Sequence, residues 1–122
     1  MVGTDIIEVA RIEKLIKEKG DKFLNKIYTQ KEIDYCESKG PNKYQHYAGR
    51  FAAKEAVFKI LSTHLSKINK PLIFKDIEIL NRKDGSPYVN INNAMIASIS
   101  DLNVSISHIK KYATAVAINI YR

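Results

Sequence analysis

The sequence predicts an α+β protein in which a mostly antiparallel sheet accompanies one long central helix. Apolar residues recur with helical spacing in the first half, whereas apolar and polar residues alternate in several segments of the second half. Helices that come first, followed by strands with one helix inserted, are typical of α+β architecture. The 122 residues, 45% of them hydrophobic, are enough for a single domain over 1–122 with an ordinary core.

Two helices are predicted before the central one. The first runs from about Ile6 to Lys19 and ends at Gly20. Its apolar residues share one face: Val9, Ile12, Leu15 and Ile16. The second opens at Thr29 and continues through Cys36, because Thr29 and Glu32 have the spacing of a capping box.

The central helix is predicted from about Tyr44 to Leu65 and contains the segment GRFAAKEAVFKIL (49–61). This segment is apolar nearly all round, which is typical of a buried helix. Glu55 and Lys59 form a narrow polar wedge on it, while Lys54 stands alone on another side. We therefore expect the charges of Glu55 and Lys59 inside or beside the core. Buried charges are costly unless they are paired or bound to something.

The second half of the chain contains the predicted strands. They lie at 74–80, 88–91, 104–108 and 113–121. Asp84 and Gly85 form a turn between the first two. The segment NNAMIASI (92–99) is predicted to be a short helix capped by asparagine.

The net charge of +7, from 20 Lys and Arg against 13 Asp and Glu, favours an acidic partner. Nucleic acid, a phosphorylated small molecule and an acidic protein all qualify, and a lysine-rich solvated surface is the plain alternative. No apolar run approaches the ~18 residues that predict a membrane span. The N-terminus does not have the pattern of a secretory signal, and the single cysteine, Cys36, fits a small core residue. Together these features predict a cytoplasmic protein.

Two carboxylates stand out, and each also allows a structural interpretation. Asp5, with Glu8 three residues later, fits a helix N-cap. Glu55, with Lys59 four residues later, fits an ion pair on an exposed helix. His108, at the end of a predicted strand, is either a phosphate ligand or a partly buried strand-end histidine.

Taken together, these residues have the types expected of a Mg²⁺ site that binds a phosphorylated substrate. Mg²⁺ often takes only one or two protein carboxylates, here Asp5 and Glu55, and leaves its other positions to water and phosphate. Lys59 and Arg50 are suited to neutralising the remaining phosphate charge. Sequence spacing alone does not bring these groups together.

The segments GTDIIEVARI and GRFAAKEAVFKIL resemble the two signature segments of the 4′-phosphopantetheinyl transferases. The resemblance is closest to the small bacterial holo-[acyl-carrier-protein] synthases. The matching residues are Gly3, Asp5, Ile6, Arg11, Arg50, Phe51, Lys54, Glu55, Ala56 and Lys59. The resemblance covers nearly the whole chain, because FKDIEI, DGSPY and VSISHIKKYATA follow in the family order.

The resemblance implies transfer of the 4′-phosphopantetheine arm of coenzyme A to a serine of apo acyl carrier protein. Adenosine 3′,5′-bisphosphate is the other product, and the reaction serves fatty acid biosynthesis. Asp5 and Glu55 would hold Mg²⁺ against the diphosphate of coenzyme A, and Lys59 would support the leaving group. Arg50 and His108 would contact a phosphate or the nucleotide. The general base is left open among Glu55, a metal-bound water and another carboxylate such as Asp34.

The resemblance also implies partners and an assembly. Arg11 would contact the acidic carrier protein, and the enzyme would be a homotrimer with active sites between subunits. The segment STHLSKINKP (62–71) departs from the family because it lacks a glycine-rich turn, and few residues precede Asp5 for a first strand. A nucleic-acid-binding module is the first alternative, since seven tyrosines and four phenylalanines accompany the positive charge. A catalytically inactive relative is the second. No nucleic acid and no membrane are expected as partners.

Overall fold

A computed structural model of the chain describes residues 1–68, 72–98 and 100–120. Within these ranges the helices are α1 (Val9–Lys19), α2 (Asp21–Ile27), α3 (Gln30–Glu37), α4 (Lys43–Ile68) and α5 (Ala94–Ser98). The strands are β1 (Val2–Glu8), β2 (Ile77–Asn81), β3 (Pro87–Ile91), β4 (Leu102–His108) and β5 (Tyr112–Asn119). The α+β prediction with a long central helix is confirmed. None of the described helices combines the length and apolar composition that crossing a bilayer requires.

The strands form two antiparallel sheets. One has three strands in the order β1-β5-β4, and the other is the β2-β3 hairpin. In the three-stranded sheet Asp5 lies opposite Ala115, and Ala113 lies opposite both Ile7 and His108. Side chains alternate along a strand, so Asp5 and His108 both lie on the face that packs against α4.

Small side chains allow α4 to lie very close to the sheet. The buried alanines of the interface are Ala48, Ala52, Ala53 and Ala56 on α4 and Ala113, Ala115 and Ala117 on β5. A Cβ atom on Gly3 would lie 2.0 Å from the carbonyl oxygen of Ala56, so β1 and α4 meet backbone to backbone at this point. Burial on all sides explains why the central segment is apolar nearly all round.

The beginning of the chain differs from the prediction. Residues 6–8 belong to β1 and not to the first helix, because β1 continues to Glu8 in register with β5. Asp5 therefore lies within a strand, and its interpretation as a helix cap is wrong. Glu8 is the N-cap residue of α1, and its side chain makes no capping hydrogen bond. Ile6 is 68% exposed and Ile7 is 8% exposed, which is the alternation of a strand with one buried face.

Other boundaries are close to the predicted ones. The capping box of α3 is present, with the Thr29 amide donating to Glu32 Oε1 at 2.8 Å and the Glu32 amide donating to Thr29 Oγ1 at 3.4 Å. Asn93 Oδ1 caps α5 by accepting from the amides of Met95 and Ile96. Helix α2 was not predicted, although Gly20, with φ 55°, separates it cleanly from α1.

Helix α4 extends three residues beyond its predicted end near Leu65, to Ile68, so the first part of the segment 62–71 is helical. Residues 69–71 lie outside the described ranges, as do Ile99 of the short helix and Tyr121 of the last predicted strand. The segment predicted as a strand at 74–80 begins with a 3₁₀ turn at Phe74–Asp76 before β2. Cys36 is fully buried, and burial raises the pKa of its thiol to about 12, as expected of a core residue.

The fully buried ammonium of α4 is Lys54, whereas Lys59 is half exposed. Lys54 Nζ lies 2.7 Å from Glu32 Oε1 and donates to the carbonyl oxygens of Phe74 (3.0 Å) and Ile77 (2.6 Å). Burial lowers the pKa of Lys54, and the neighbouring Glu32 carboxylate opposes this shift. Lys59 thus lies beside the core and not inside it, whereas the predicted isolation of Lys54 is wrong.

Glu32 extends this contact to the hairpin. Its Oε2 accepts a hydrogen bond from the Ile79 amide at 2.9 Å, while its Oε1 accepts from the Thr29 amide. One ion pair thus joins α3, α4, the 3₁₀ turn and β2. A helical wheel of α4 shows only residues of that helix. It therefore could not reveal that Lys54 is paired with Glu32 of α3.

We predict that Lys54→Met lowers the free energy of unfolding by about 3–5 kcal/mol. The substitution keeps much of the volume but leaves the Glu32 carboxylate buried with an uncompensated charge and leaves two carbonyl oxygens without their donor. Denaturant unfolding followed by circular dichroism measures the change. Lys17→Met is the control, since Lys17 pairs with Glu13 at the surface and its loss should leave the midpoint unchanged. Equal stability of Lys54→Met and the parent would contradict the anchoring role.

Candidate active site

Asp5 projects from β1 towards α4 and meets Lys59. The Asp5 side chain is 17% exposed, and Lys59 Nζ lies 3.3 Å from its Oδ1. Lys59 also donates to the carbonyl oxygen of Thr4 at 2.8 Å. The close approach of β1 and α4 at Gly3 makes this reach possible, because it places the two elements within one side-chain length.

Glu55 is the second carboxylate of this group and lies one helical turn before Lys59. Burial raises the pKa of Glu55, the charge of Asp5 raises it further, and Lys59 lowers it. The two carboxylates are therefore close enough to repel each other. Among the described side chains, Lys59 pairs with Asp5 and not with Glu55, so a simple Glu55–Lys59 ion pair is wrong. We call Asp5, Glu55 and Lys59 the carboxylate cluster.

The carboxylate cluster borders an open cleft with a volume of about 490 Å³. Asp5 and Glu55 lie on its wall together with Arg11 from α1, Phe51 from α4 and Tyr112 from β5. Arg11 is exposed at this edge. With Glu8, which also lines it, the cleft offers three acids and one guanidinium on a partly apolar surface, which suits a charged substrate with an apolar portion.

The residues present fit a divalent cation. A cation placed between two carboxylates that repel each other would relieve their electrostatic repulsion. Carboxylate oxygens are also the ligands that Mg²⁺ prefers. In the described ranges, no three His, Cys, Asp or Glu side chains converge on one point. Asp5 and Glu55 would therefore supply two protein ligands, and water and substrate oxygens would supply the others.

Arg50 and His108 belong to a different group of side chains. Arg50 is only 4% exposed; its guanidinium lies 3.9 Å from the ring centroid of Tyr35 and donates to Asn81 Oδ1. Its Nε is buried and finds no hydrogen-bond partner in the described part of the chain. The ring centroid of His108 lies 4.8 Å from that of His46, which sequence reasoning did not single out.

We call Tyr35, Lys39, His46, Arg50 and His108 the basic cluster. Its two histidines lie away from the carboxylate cluster of the same chain. His46 precedes Glu55 by nine residues, or about 13 Å along a helix. His108 stands two strands away from β1, or about 10 Å across the sheet. The structure brings Asp5, Glu55 and Arg11 to one cleft, with Lys59 bound to Asp5 at its side, and Arg50 and His108 do not line that cleft.

The model of the 4′-phosphopantetheinyl transferase superfamily matches residues 1–117. The chain belongs to this superfamily. It is 45% identical to a holo-[acyl-carrier-protein] synthase of Ruminiclostridium cellulolyticum, over 97% of this chain and 90% of the relative. It is 46% identical to that of Chlamydia caviae, over 98% and 95%.

Solved structures of the superfamily have the same fold. The structure of Helicobacter pylori holo-[acyl-carrier-protein] synthase in complex with coenzyme A superposes with a TM-score of 0.82. It is 35% identical, and the match covers 98% of this chain and 99% of that one. A holo-(acyl-carrier-protein) synthase of Bacillus anthracis gives a TM-score of 0.77 at 36% identity, over 97% and 93%. The coverage leaves little of either chain unmatched.

We predict that Gly3→Ala separates β1 from α4 and lowers the free energy of unfolding by about 1–3 kcal/mol. The added Cβ would meet a backbone oxygen at 2.0 Å, which no side-chain rotation relieves. Thr4→Ala is the control, because the neighbouring Thr4 side chain is exposed. Denaturant unfolding of both variants measures the difference, and equal midpoints would show that the close approach is dispensable.

We predict that Asp5→Asn lowers the pKa of Glu55, since it removes a like charge that raises it. Burial remains, so part of the upward shift should persist. A carbon-13 titration of the glutamate carboxyl resonances measures the change, and Lys59→Met should move the same resonance in the opposite direction. An unchanged pKa of Glu55 in Asp5→Asn would mean that the two carboxylates do not share a site.

Proposed function

We propose that this chain transfers the 4′-phosphopantetheine group of coenzyme A to a serine of apo acyl carrier protein and releases adenosine 3′,5′-bisphosphate. The observation that carries the proposal is the carboxylate cluster, which places both signature segments at one cleft in a member of this superfamily. The reaction would supply holo carrier for fatty acid biosynthesis. The match over residues 1–117 supports one transferase domain over 1–122.

Asp5 and Glu55 would hold Mg²⁺ in this reaction. When bound, the ion would polarise the phosphoryl group under attack and offset charge on the leaving phosphate. Glu55 has to be ionised to bind a cation, and its raised pKa makes cation binding weaken at a higher pH than for an ordinary glutamate. Lys59, half exposed at the edge of the cluster, would bind the diphosphate of coenzyme A and stabilise the leaving group.

The attacking hydroxyl belongs to the carrier, so the enzyme needs no nucleophile of its own. A base has to remove the proton of that hydroxyl. Glu55 is a candidate, because its carboxylate lies on the wall of the cleft that the carrier serine would enter. A water molecule on the metal ion is the competing candidate.

Arg50 and His108 would contact coenzyme A from a second copy of the chain. The 3′-phosphate and the diphosphate of coenzyme A sit on the same ribose, whereas His46 and Glu55 of one chain are about 13 Å apart along α4. This separation favours a coenzyme A that contacts the carboxylate cluster of one copy and the basic cluster of another. A site between copies provides both contacts, and a closed ring such as a homotrimer gives every copy the same two neighbours.

The outer face of the three-stranded sheet supports such an assembly. The apolar side chains exposed on it are Val2, Ile6, Val116 and Ile118. They lie on neighbouring strands in register, since Val2 pairs with Ile118 and Thr4 pairs with Val116. A continuous exposed apolar patch of this kind is typical of a surface that another protein chain covers.

Arg11 would bind the carrier protein beside the cleft. An apolar groove adjoins the cleft through Leu15 and Phe51 and continues along Phe23, Ile27 and Phe74. The groove also includes the lysines Lys19, Lys22 and Lys26. An acidic carrier that laid an amphipathic helix here would satisfy both the apolar floor and the positive rim.

The fold argues against the alternative of a nucleic-acid-binding module, because some of the tyrosines that could stack on bases are buried. Tyr28 and Tyr47 are fully buried, and the Tyr28 hydroxyl donates to the carbonyl oxygen of Tyr47. Asp5, Glu55 and Lys59 are all intact and lie in one cluster, which likewise favours an active enzyme over an inactive relative. The cytoplasm stays the proposed location, in keeping with the single buried thiol of Cys36.

We predict a Mg²⁺-dependent mass gain of one phosphopantetheine when apo acyl carrier protein is incubated with this protein and coenzyme A. Mass spectrometry measures it, with EDTA as the metal control. Glu55→Gln should reduce the rate by about 10²-fold or more, because it keeps the shape and removes the charge that binds the cation. Glu13→Gln makes the same substitution in a surface ion pair and should keep the parent rate. Absence of transfer with carriers from several pathways would refute the proposed function.

A further inference from the structure

The basic cluster concentrates nitrogen groups around one aromatic ring. Lys39 Nζ lies 4.6 Å and the Arg50 guanidinium 3.9 Å from the centroid of the Tyr35 ring. His46 contacts the same ring edge-on, with centroids 5.6 Å apart, and then contacts His108 at 4.8 Å. His46 therefore lies between the tyrosine, with its two cations, and the second imidazole.

His46 faces positive or titratable groups from every element around it. Tyr35 comes from α3, Lys39 lies between α3 and α4, Arg50 lies one turn further along α4, and His108 ends β4. Burial, together with the charges of His108, Lys39 and Arg50, lowers the pKa of His46 to about 4. No carboxylate of the described residues is among the charges that act on it.

This arrangement lacks an anion. Arg50 is buried with an Nε that has no partner among the described residues, and His46 is kept neutral by burial and by positive neighbours that an anion would offset. His108 is held in place from its other side, because its Nδ1 lies 3.0 Å from Gln45 Oε1. His108 Nε2 and the ring of His46 are then available to a ligand at the same spot. Both histidines are only partly buried, so solvent and ligands reach them.

We propose that His46 is an additional specificity residue for coenzyme A, which takes up a proton when a phosphate monoester binds beside His108 and Arg50 and then donates a hydrogen bond to it. This inference rests on the proposed function, in which the carboxylate cluster and Mg²⁺ take the diphosphate. The remaining anionic group of coenzyme A is its 3′-phosphate, a monoester that carries close to two negative charges at neutral pH.

The sign of the pH dependence follows from the direction of the shift. Without ligand, His46 is neutral at every pH well above about 4. A bound dianion stabilises the imidazolium, so binding raises the pKa of His46 and takes up a proton from solution. Affinity for the monoester therefore increases as the pH falls, by up to about tenfold per pH unit where one proton is taken up. Below about pH 6 the phosphate itself becomes protonated, and the gain ends.

Isothermal titration calorimetry of the full-length protein with adenosine 3′,5′-bisphosphate tests the inference. Titrations in two buffers of different ionisation enthalpy, at several values between about pH 6 and about pH 7.5, give the number of protons taken up. Adenosine 5′-monophosphate, which lacks the 3′-phosphate, is the control ligand. His46→Phe keeps an aromatic ring between Tyr35 and His108 without a titrating group, and His46→Gln keeps a polar one.

We expect the parent protein to take up more protons with the bisphosphate than either variant, and to gain affinity more steeply as the pH falls. The titration of the phosphate itself contributes to all three proteins, so the difference belongs to His46. Adenosine 5′-monophosphate should show no such difference. Equal proton uptake by parent and variants, or the same difference with both nucleotides, would overturn the inference.

Two further readouts keep the test decisive. Histidine NMR of the parent alone, with and without bisphosphate, must show an imidazole whose low pKa rises by more than one unit on binding, even if a variant fails to fold. Phosphopantetheine transfer is assayed on the same preparation. Transfer without a His46-dependent proton uptake overturns this inference and leaves the proposed function intact. His46-dependent uptake without transfer overturns the function and leaves the anion site.

Discussion

The backbone contact between β1 and α4 is the constraint on which the rest of the structure depends. Gly3 lets the Ala56 carbonyl approach β1, and the alanines of β5 extend the close packing across the sheet. At this distance Lys59 reaches both the backbone and the side chain of β1. Two signature segments that lie about fifty residues apart in sequence thereby form a single cluster. The chemistry follows from a packing distance that larger side chains would not allow.

Helix α4 uses its neighbouring charges in opposite ways. Lys54 is buried and fully paired, so it fixes α3 and the hairpin around the helix. Glu55, the next residue, is only partly compensated: burial raises its pKa, and the charge of Asp5 raises it further. Paired buried charge specifies a fold, whereas poorly compensated charge beside a cleft is poised to bind a cation. The Lys54-Glu55 dipeptide of the signature therefore joins a structural residue to the proposed metal ligand.

Local signals in the sequence were reliable and distant ones were not. The Thr29–Glu32 capping box and the Asn93 cap depend on neighbouring residues, and both were predicted correctly. Strand β1 was missed in part because its pairing partner lies at the other end of the chain. The partner of Lys54 is in another helix, and His46 acquires its surroundings only in the folded chain. The signature residues were found by resemblance, and their spacing alone did not bring them together.

The central claim is that one active site combines the carboxylate cluster of one chain with the basic cluster of another. Mixing two variants that are inactive alone, Glu55→Gln and Arg50→Ala, tests it directly. The two variants are mixed in equal amounts and allowed to exchange subunits. About a quarter of the sites in a ring then combine an intact carboxylate cluster with an intact basic cluster. Phosphopantetheine transfer should therefore recover to about a quarter of the parent rate. Sites contained within one chain would stay defective in every mixture. Transfer that remains at the level of the separate variants, after exchange has been verified, would contradict the claim.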